Sequence, residues 1–229
     1  MVRLNLIVDA DDTLWENCVY FENAFAAFVS YLEHSTFNAD EIRGILDEIE
    51  LANARVHGYG SLNFGRNLQE CYRKLAQREI APSDLETVKG FALAILEQPL
   101  ELIAGVEETL AYLAARHDLT LFTKGAAEEQ KMKIERSGLS GFFAHTAIVK
   151  EKNVVSYQAL VQERGISTES AWMIGNSPKS DINPALEAGL NAVFIPHTTT
   201  WTLEREELCD PGPGVLLVLE RFADLKDVF

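Results

Sequence analysis

Beyond Pro99 the chain alternates strand-length apolar runs with helical stretches, and this alternation limits the choice of fold more than any other feature. Leu119-Thr120-Leu121-Phe122, residues 144–149, Ala171-Trp172-Met173-Ile174 and residues 190–195 each have the length and apolar character of a buried strand. Helical periodicity fills the intervals, over residues 105–116, 128–137, 157–164 and 182–188. Strands separated by helices imply right-handed crossovers and a parallel sheet. Residues 1–8, with the apolar run Leu4-Asn5-Leu6-Ile7-Val8, supply one more strand of it. The tail, with Pro211-Gly212-Pro213 and residues 215–219, has no clear assignment.

Between residues 16 and 99 the signal is helical throughout. Phe21, Phe25, Phe28 and Leu32 keep one face of a first helix, and Asn38 or Asp40 caps a second bearing Ile42, Leu46 and Ile49. Gly58-Tyr59-Gly60 breaks the pattern before a third helix, capped by Ser61, with Phe64, Leu68, Cys71 and Leu75 on its apolar side. Pro82 and Ser83 open a fourth, bearing Leu85, Val88, Phe91 and Ile95. The aromatic stripe reads as core, and neither His34 nor His57 has a second ligand at helical spacing. A helical bundle is thus set into an α/β frame, which divides the chain into residues 1–15 with 100–229, and residues 16–99.

A chain of 229 residues can bury a sizeable core. Its formal net charge of −15, from 20 Lys and Arg against 35 Asp and Glu, repels nucleic acid and anionic membranes, so neither is an expected partner. No stretch reaches membrane-spanning length, and the first residues lack a signal-peptide pattern. Cys18, Cys71 and Cys209 are odd in number, widely spaced and without a CxxC pair, as suits a reducing compartment. The expected location is the cytoplasm.

The chemistry-bearing residues stand where the strands stop, and in open α/β sheets ligands bind outside the carboxyl ends of the strands. Asp9, Asp11 and Asp12 come after the first strand. If Asp9 and Asp11 turn to the same side, as alternate positions do, two carboxylates crowd one spot and call for a hard cation such as Mg²⁺. A polar turn with an Asp helix cap accounts for these residues equally well. Thr123 ends the second strand, Lys150 and Lys152 come after the strand near Val149, and Asp181 lies in the loop after Met173-Ile174. Each alone has a plainer reading, as a cap for Thr123 or Asp181 and a solvated side chain for Lys152. Gathered at one sheet edge, they offer acids for a divalent ion, with a hydroxyl and a cation for an oxyanion. That set suits phosphoryl transfer, in which an Asp carboxylate can form an aspartyl-phosphate.

These residues resemble the motifs of the haloacid dehalogenase (HAD) superfamily, whose members are mostly phosphatases. Asp9-Ala10-Asp11-Asp12-Thr13 looks like its DxDxT first motif, which Leu14-Trp15 continues. Leu121-Phe122-Thr123 looks like the second motif. Lys152, in Lys150-Glu151-Lys152-Asn153, matches the third-motif lysine, with Lys150 as the fallback. Gly175-Asn176-Ser177-Pro178-Lys179-Ser180-Asp181 looks like the acidic fourth motif. The insert over residues 16–99 is similar to a C1-type cap, so the resemblance spans the whole chain and implies a three-layer, Rossmann-like core. Asn176 departs from the pattern, since many relatives have Asp there. Weaker or differently tuned Mg²⁺ binding is the consequence, with Asn176 accepting a hydrogen bond from a metal-bound water. The hydrolytic dehalogenases of the superfamily lack the acid corresponding to Asp11, and its presence here favours a phosphatase.

The resemblance therefore implies a Mg²⁺-dependent phosphoric monoester hydrolase acting on a small phosphomonoester: a nucleotide, flavin mononucleotide or a sugar phosphate. It makes Asp9 the nucleophile and Asp11 the general acid–base. The metal falls to Asp9, the Asp11 carbonyl and Asp181, the phosphate to Thr123 and Lys152, and an outer role to Asn176 and Thr13. A phosphomutase would use the same aspartates. A receiver-like signalling domain combines similar groups, but carries its phospho-accepting Asp after a later strand, where this chain has Thr123. In the insert, Arg55, Tyr59 and Asn63 flank Gly58 and Gly60 and are expected to read the leaving group. A plain helix–helix connection is the alternative there.

Overall fold

The computed structural model describes residues 3–32 and 34–229. Met1, Val2 and Glu33 lie outside the described residues, and with them the start of the strand expected over residues 1–8. The chain divides into two compact units, Met1–Glu16 with Leu100–Phe229, and Asn17–Pro99.

The second unit holds α1 (Cys18–Tyr31), α2 (Ala39–His57), α3 (Ser61–Leu75) and α4 (Pro82–Leu93), then a short 3₁₀ turn at Ala94–Glu97. The residues expected at helical spacing meet in one core, with Phe28, Leu46 and Leu68 fully buried among them. Asn38 is the α2 cap. Its Oδ1 accepts from the Asp40 and Glu41 backbone N–H groups, while the Glu41 carboxylate accepts the Asn38 N–H at 2.8 Å. The cap expected of Ser61 does not form: Gly60, at φ 107°, is the residue before the helix, and Ser61 is its buried first residue. A side chain rarely tolerates that φ, so glycine decides how the chain enters α3. At α4 Pro82 takes a position whose N–H would be unused anyway, and Asp84 reaches back to accept the Ala81 N–H at 2.9 Å.

The first unit is built on six strands among the described residues: β1 (Asn5–Val8), β2 (Asp118–Lys124), β3 (His145–Val149), β4 (Ala171–Gly175), β5 (Asn191–Phe194) and β6 (Leu216–Val218). All pairings are parallel, in the order β3-β2-β1-β4-β5-β6. Alternation along β1 sorts its side chains. Leu6 and Val8 join the core that contains Leu110 and Leu113 of α5 (Val106–Ala114) and Ile134 of α6 (Ala127–Ser137). Ile7 faces the other way, into a core with Tyr157 and Leu160 of α7 (Val154–Arg164) and Ala185 of α8 (Asn183–Glu187). Helices thus cover both faces and the α/β expectation holds in its three-layer, Rossmann-like form. The tail resolves into β6. Asn191 anchors it by accepting the Val215 N–H at 2.9 Å and donating to the Glu169 carbonyl at 3.1 Å.

Strand order reverses at β1, with β2 and β3 on one side and β4 to β6 on the other. The carboxyl ends beside such a switch point form the crevice where open α/β sheets bind ligands. No described helix is long and apolar enough to cross a membrane. All three cysteines are free thiols.

Candidate functional site

Val8 pairs with Leu121 and Ile174, so the carboxyl ends of β1, β2 and β4 lie side by side at one edge of the sheet. The Asp9 N–H still donates to the Ile174 carbonyl at 2.9 Å, and then the chain leaves the sheet in a tight turn. Thr13 and Leu14 donate to the Ala10 carbonyl, and Asp12 donates to that of Trp15. Asp12 lies at φ 60°, a left-handed conformation that Asp tolerates better than most residues.

This turn separates the two first-motif carboxylates. Asp9 accepts from the Lys152 ammonium at 2.5 Å and from the Thr13 hydroxyl at 3.0 Å. Asp11 meets other partners: Trp15 Nε1 at 2.7 Å, Gln130 Nε2 at 2.8 Å and Lys133 Nζ at 2.9 Å. The crowding expected of Asp9 with Asp11 therefore falls elsewhere, because side-chain alternation ends with the strand at Val8. Asp181 takes that place. Lys152 Nζ donates to it at 2.7 Å, so one ammonium bridges Asp9 and Asp181.

The trio is shut away from water, with side-chain exposures of 1% for Lys152, 8% for Asp9 and 2% for Asp181. Burial, and then the Asp181 charge, push Asp9 up to about 7, against the pull of Lys152. Burial alone would lower Lys152, but the two carboxylates outweigh it and hold the ammonium above its ordinary value. Lys150 is exposed, so Lys152 is the lysine of this cluster.

Asp181 is set by its surroundings. It sits in a π-helical turn at Pro178–Ile182, a feature often found at functional sites, and its Oδ2 accepts the Ser177 N–H at 2.9 Å. Gly175 has to be glycine, because a Cβ there would collide with the Asp181 carboxylate. Asn176 Oδ1 accepts from Thr13 Oγ1 at 3.2 Å, which ties it to the hydroxyl that also serves Asp9. Thr123, near the end of β2, is 1% exposed, and its hydroxyl has no hydrogen-bond partner among the described residues. Such a group costs about 1–3 kcal/mol until something satisfies it. The Asp9 and Asp181 carboxylates, bridged by one ammonium, are hard oxygen donors of the kind Mg²⁺ takes, and two acids against one ammonium favour a cation there.

The family model described as haloacid dehalogenase-like hydrolase matches residues 58–195. The chain belongs to this family. Among solved structures, a haloacid dehalogenase-like family hydrolase from Xanthomonas campestris is 28% identical with a TM-score of 0.84, over 99% of this chain and 94% of that one. An L-2-haloacid dehalogenase from Xanthobacter autotrophicus shares the fold at 16% identity and a TM-score of 0.68, over 99% of this chain and 98% of that one. So does a predicted phosphoglycolate phosphatase from Haemophilus somnus 129PT, at 15% identity and a TM-score of 0.66, over 99% and 97% of the respective chains. No curated protein sequence matches.

Several groups of this HAD site escape a motif search. Gln130 and Lys133 stand one helical turn apart on α6, a spacing visible in the sequence but with nothing there to aim it at Asp11. Glu204, beyond β5, joins Lys124 at 2.6 Å. Asp12, Glu16 and His197 converge beside the first-motif turn, with His197 Nε2 3.2 Å from Glu16. In the helical unit, Arg55 is exposed near the end of α2, and Tyr59 lies in the connection to α3. Asn63 closes that connection, donating to the His57 carbonyl at 2.5 Å and accepting from Arg66 at 2.9 Å.

Proposed function

We propose that this HAD hydrolase is a Mg²⁺-dependent phosphatase of small phosphomonoesters that works through an aspartyl-phosphate on Asp9. The observation that carries the reading is the placement of Asp11, fixed by Trp15, Gln130 and Lys133 in the turn that follows the nucleophile. An alkoxide leaving group needs a proton donor and a departing halide does not. A dehalogenase, the activity named for the Xanthobacter neighbour, has no use for a second acid held in this way.

Asp9 attacks phosphorus while the Thr123 hydroxyl and the Lys152 ammonium hold the transferring group. Thr13, bonded to both Asp9 and Asn176, keeps the nucleophile aimed. Burial pushes Asp11 up, but the Lys133 charge and the hydrogen bonds from Gln130, Lys133 and Trp15 together outweigh it and hold the carboxyl below its ordinary value. That ionised form accepts the proton of the water that hydrolyses the aspartyl-phosphate. The proton so gained is the one Asp11 gives to the leaving oxygen of the next substrate, for which the contact with Lys133 must loosen. Bound Mg²⁺, held by Asp9, Asp181 and the Asp11 carbonyl, would supply neutralisation of the phosphate oxygens. Leaving-group recognition is assigned to the helical unit, with Tyr59 as the ring for stacking, Arg55 as a charge, and Asn63 as the residue that shapes the Tyr59 loop.

Purified protein incubated with Mg²⁺ and nucleotides, flavin mononucleotide, sugar phosphates or 2-haloacids should release phosphate from at least one of the esters. Halide release with every ester untouched would make it a dehalogenase. Phosphoryl groups returned to a second hydroxyl, rather than freed, would make it a mutase.

The metal assignment predicts that EDTA silences the enzyme reversibly. Asp181→Ala should raise the Mg²⁺ concentration for half-maximal activity at least about tenfold. An enzyme indifferent to chelation contradicts the site.

A further inference from the structure

Lys124 stands directly after Thr123 at the end of β2. Its ammonium donates to Glu204 at 2.6 Å and to the Ser180 hydroxyl at 2.9 Å, and stands 3.4 Å from Glu151. Glu204 ends the short 3₁₀ turn Thr202–Glu204 and accepts from the Ser177 hydroxyl at 2.7 Å and from that of Ser180. Both members of the ion pair are shielded, at 13% and 14% side-chain exposure.

The chain around Glu204 is tied down at several points. Lys179 donates to the Leu203 carbonyl at 2.7 Å, and Asn183 donates to the Glu207 carbonyl at 2.8 Å while accepting the Cys209 N–H at 2.9 Å. Residues 203–209 therefore strap the turn that bears Asp181. Ser177 gives its N–H to the Asp181 carboxylate and its hydroxyl to Glu204, and Ser180 immediately precedes Asp181. The orientation of Asp181 is thereby referred to Glu204.

We propose that Glu204 is a positioning residue of the phosphate and metal site, which locks the Asp181 turn to the β2 end carrying Thr123 through Lys124, Ser177 and Ser180. A shielded ion pair is a poor source of net stability, since apolar side chains of similar volume often serve as well or better. What it supplies is a fixed geometry in which the Ser177 and Ser180 hydroxyls both donate to one carboxylate. Burial pushes Glu204 up, but Lys124 and the Ser180 and Ser177 hydroxyls together outweigh it and hold it below its ordinary value. Glu204, with Glu151 and Asp181, holds Lys124 above its own against burial, so both carry charge at neutral pH. The proposal rests on the phosphatase reading for its choice of ligand, yet it is tested by binding and not by turnover.

The full chain is titrated calorimetrically with Mg²⁺ alone, and with inorganic phosphate in the presence of Mg²⁺, while melting temperature is recorded alongside. Glu204→Ala should weaken both ligands about tenfold or more. Lys124→Met/Glu204→Gln leaves no buried charge unpaired, so it should melt close to the wild type and still bind phosphate about tenfold more weakly. A double variant that melts like the wild type and binds both ligands within about twofold of it overturns the proposal, because the pair would then only stabilise. A wild type that binds neither ligand overturns it as well. A wild type that binds Mg²⁺ but releases phosphate from no ester defeats the phosphatase reading alone, and the Mg²⁺ titrations of the variants still decide the role of Glu204.

Discussion

Asp9→Asn is expected to lower turnover by on the order of 10⁴-fold or more while leaving the fold intact, the size of loss seen when a covalent nucleophile is removed. Asn matches Asp in shape and can still accept the Thr13 hydroxyl, so the loss falls on nucleophilicity. Substantial phosphatase activity in a clean preparation of the variant would sink the mechanism. The same substitution has a second signature in chelator-treated protein. Folding raises Asp9 from the ordinary 3.8 to about 7. Between roughly pH 4 and pH 7 the native state keeps a proton that the unfolded chain has lost, so the native state binds more protons. Stability contributed by this group is therefore present at low pH, falls as pH rises through that window, and is level above it. A melting temperature measured from pH 5 to pH 8 should decline in the wild type and be flatter in Asp9→Asn. An unchanged slope would place the titration on another group.

Legibility in the sequence differs from element to element. The strands that end at Lys124 and Gly175 are written in apolar runs closed by polar or glycine residues, and their parallel order is dictated by the helices between them. The strand ends alone put Asp9, Lys152 and Asp181 at one edge. The divergence of Asp9 from Asp11 was not legible, because it depends on a left-handed Asp12 and on α6 donors far along the chain. Glu204 was equally hidden: it lies in an irregular segment, and its worth comes from Lys124 and two serines, not from a spacing. β6 was obscured because a side-chain amide, that of Asn191, anchors a strand only three residues long. Contacts made by polar side chains across long sequence separations leave no periodic trace, whereas packing does.

Lys152→Met should be the most damaging single change to stability, and should cost activity as well. Lys152 is 1% exposed and stands 2.5 Å from Asp9 and 2.7 Å from Asp181, so its removal leaves two buried carboxylates facing each other. Breaking a buried pair by deleting one partner costs about 3–5 kcal/mol, and here the exposure is too low for water to soften the effect. The size of the loss should depend on what can replace the ammonium. At pH 5 a proton shared by the two acids can do so, as in other close carboxylate pairs, and the melting temperature should fall less than at pH 8. Mg²⁺ can also do so, and should therefore raise the melting temperature of Lys152→Met by more than it raises that of the wild type. Adding Asp9→Asn removes one of the opposed charges, and the double variant should be markedly more stable at pH 8 than Lys152→Met alone, a coupling that two independent sites would not show. Activity should not track stability in any of these rescues, because neither a proton nor the metal replaces the ammonium that grips the transferring phosphoryl group. Loss of one such group costs about 10²–10³-fold in kcat. If Lys152→Met melts like the wild type at pH 8 in chelator, Lys152 does not balance the charges of Asp9 and Asp181.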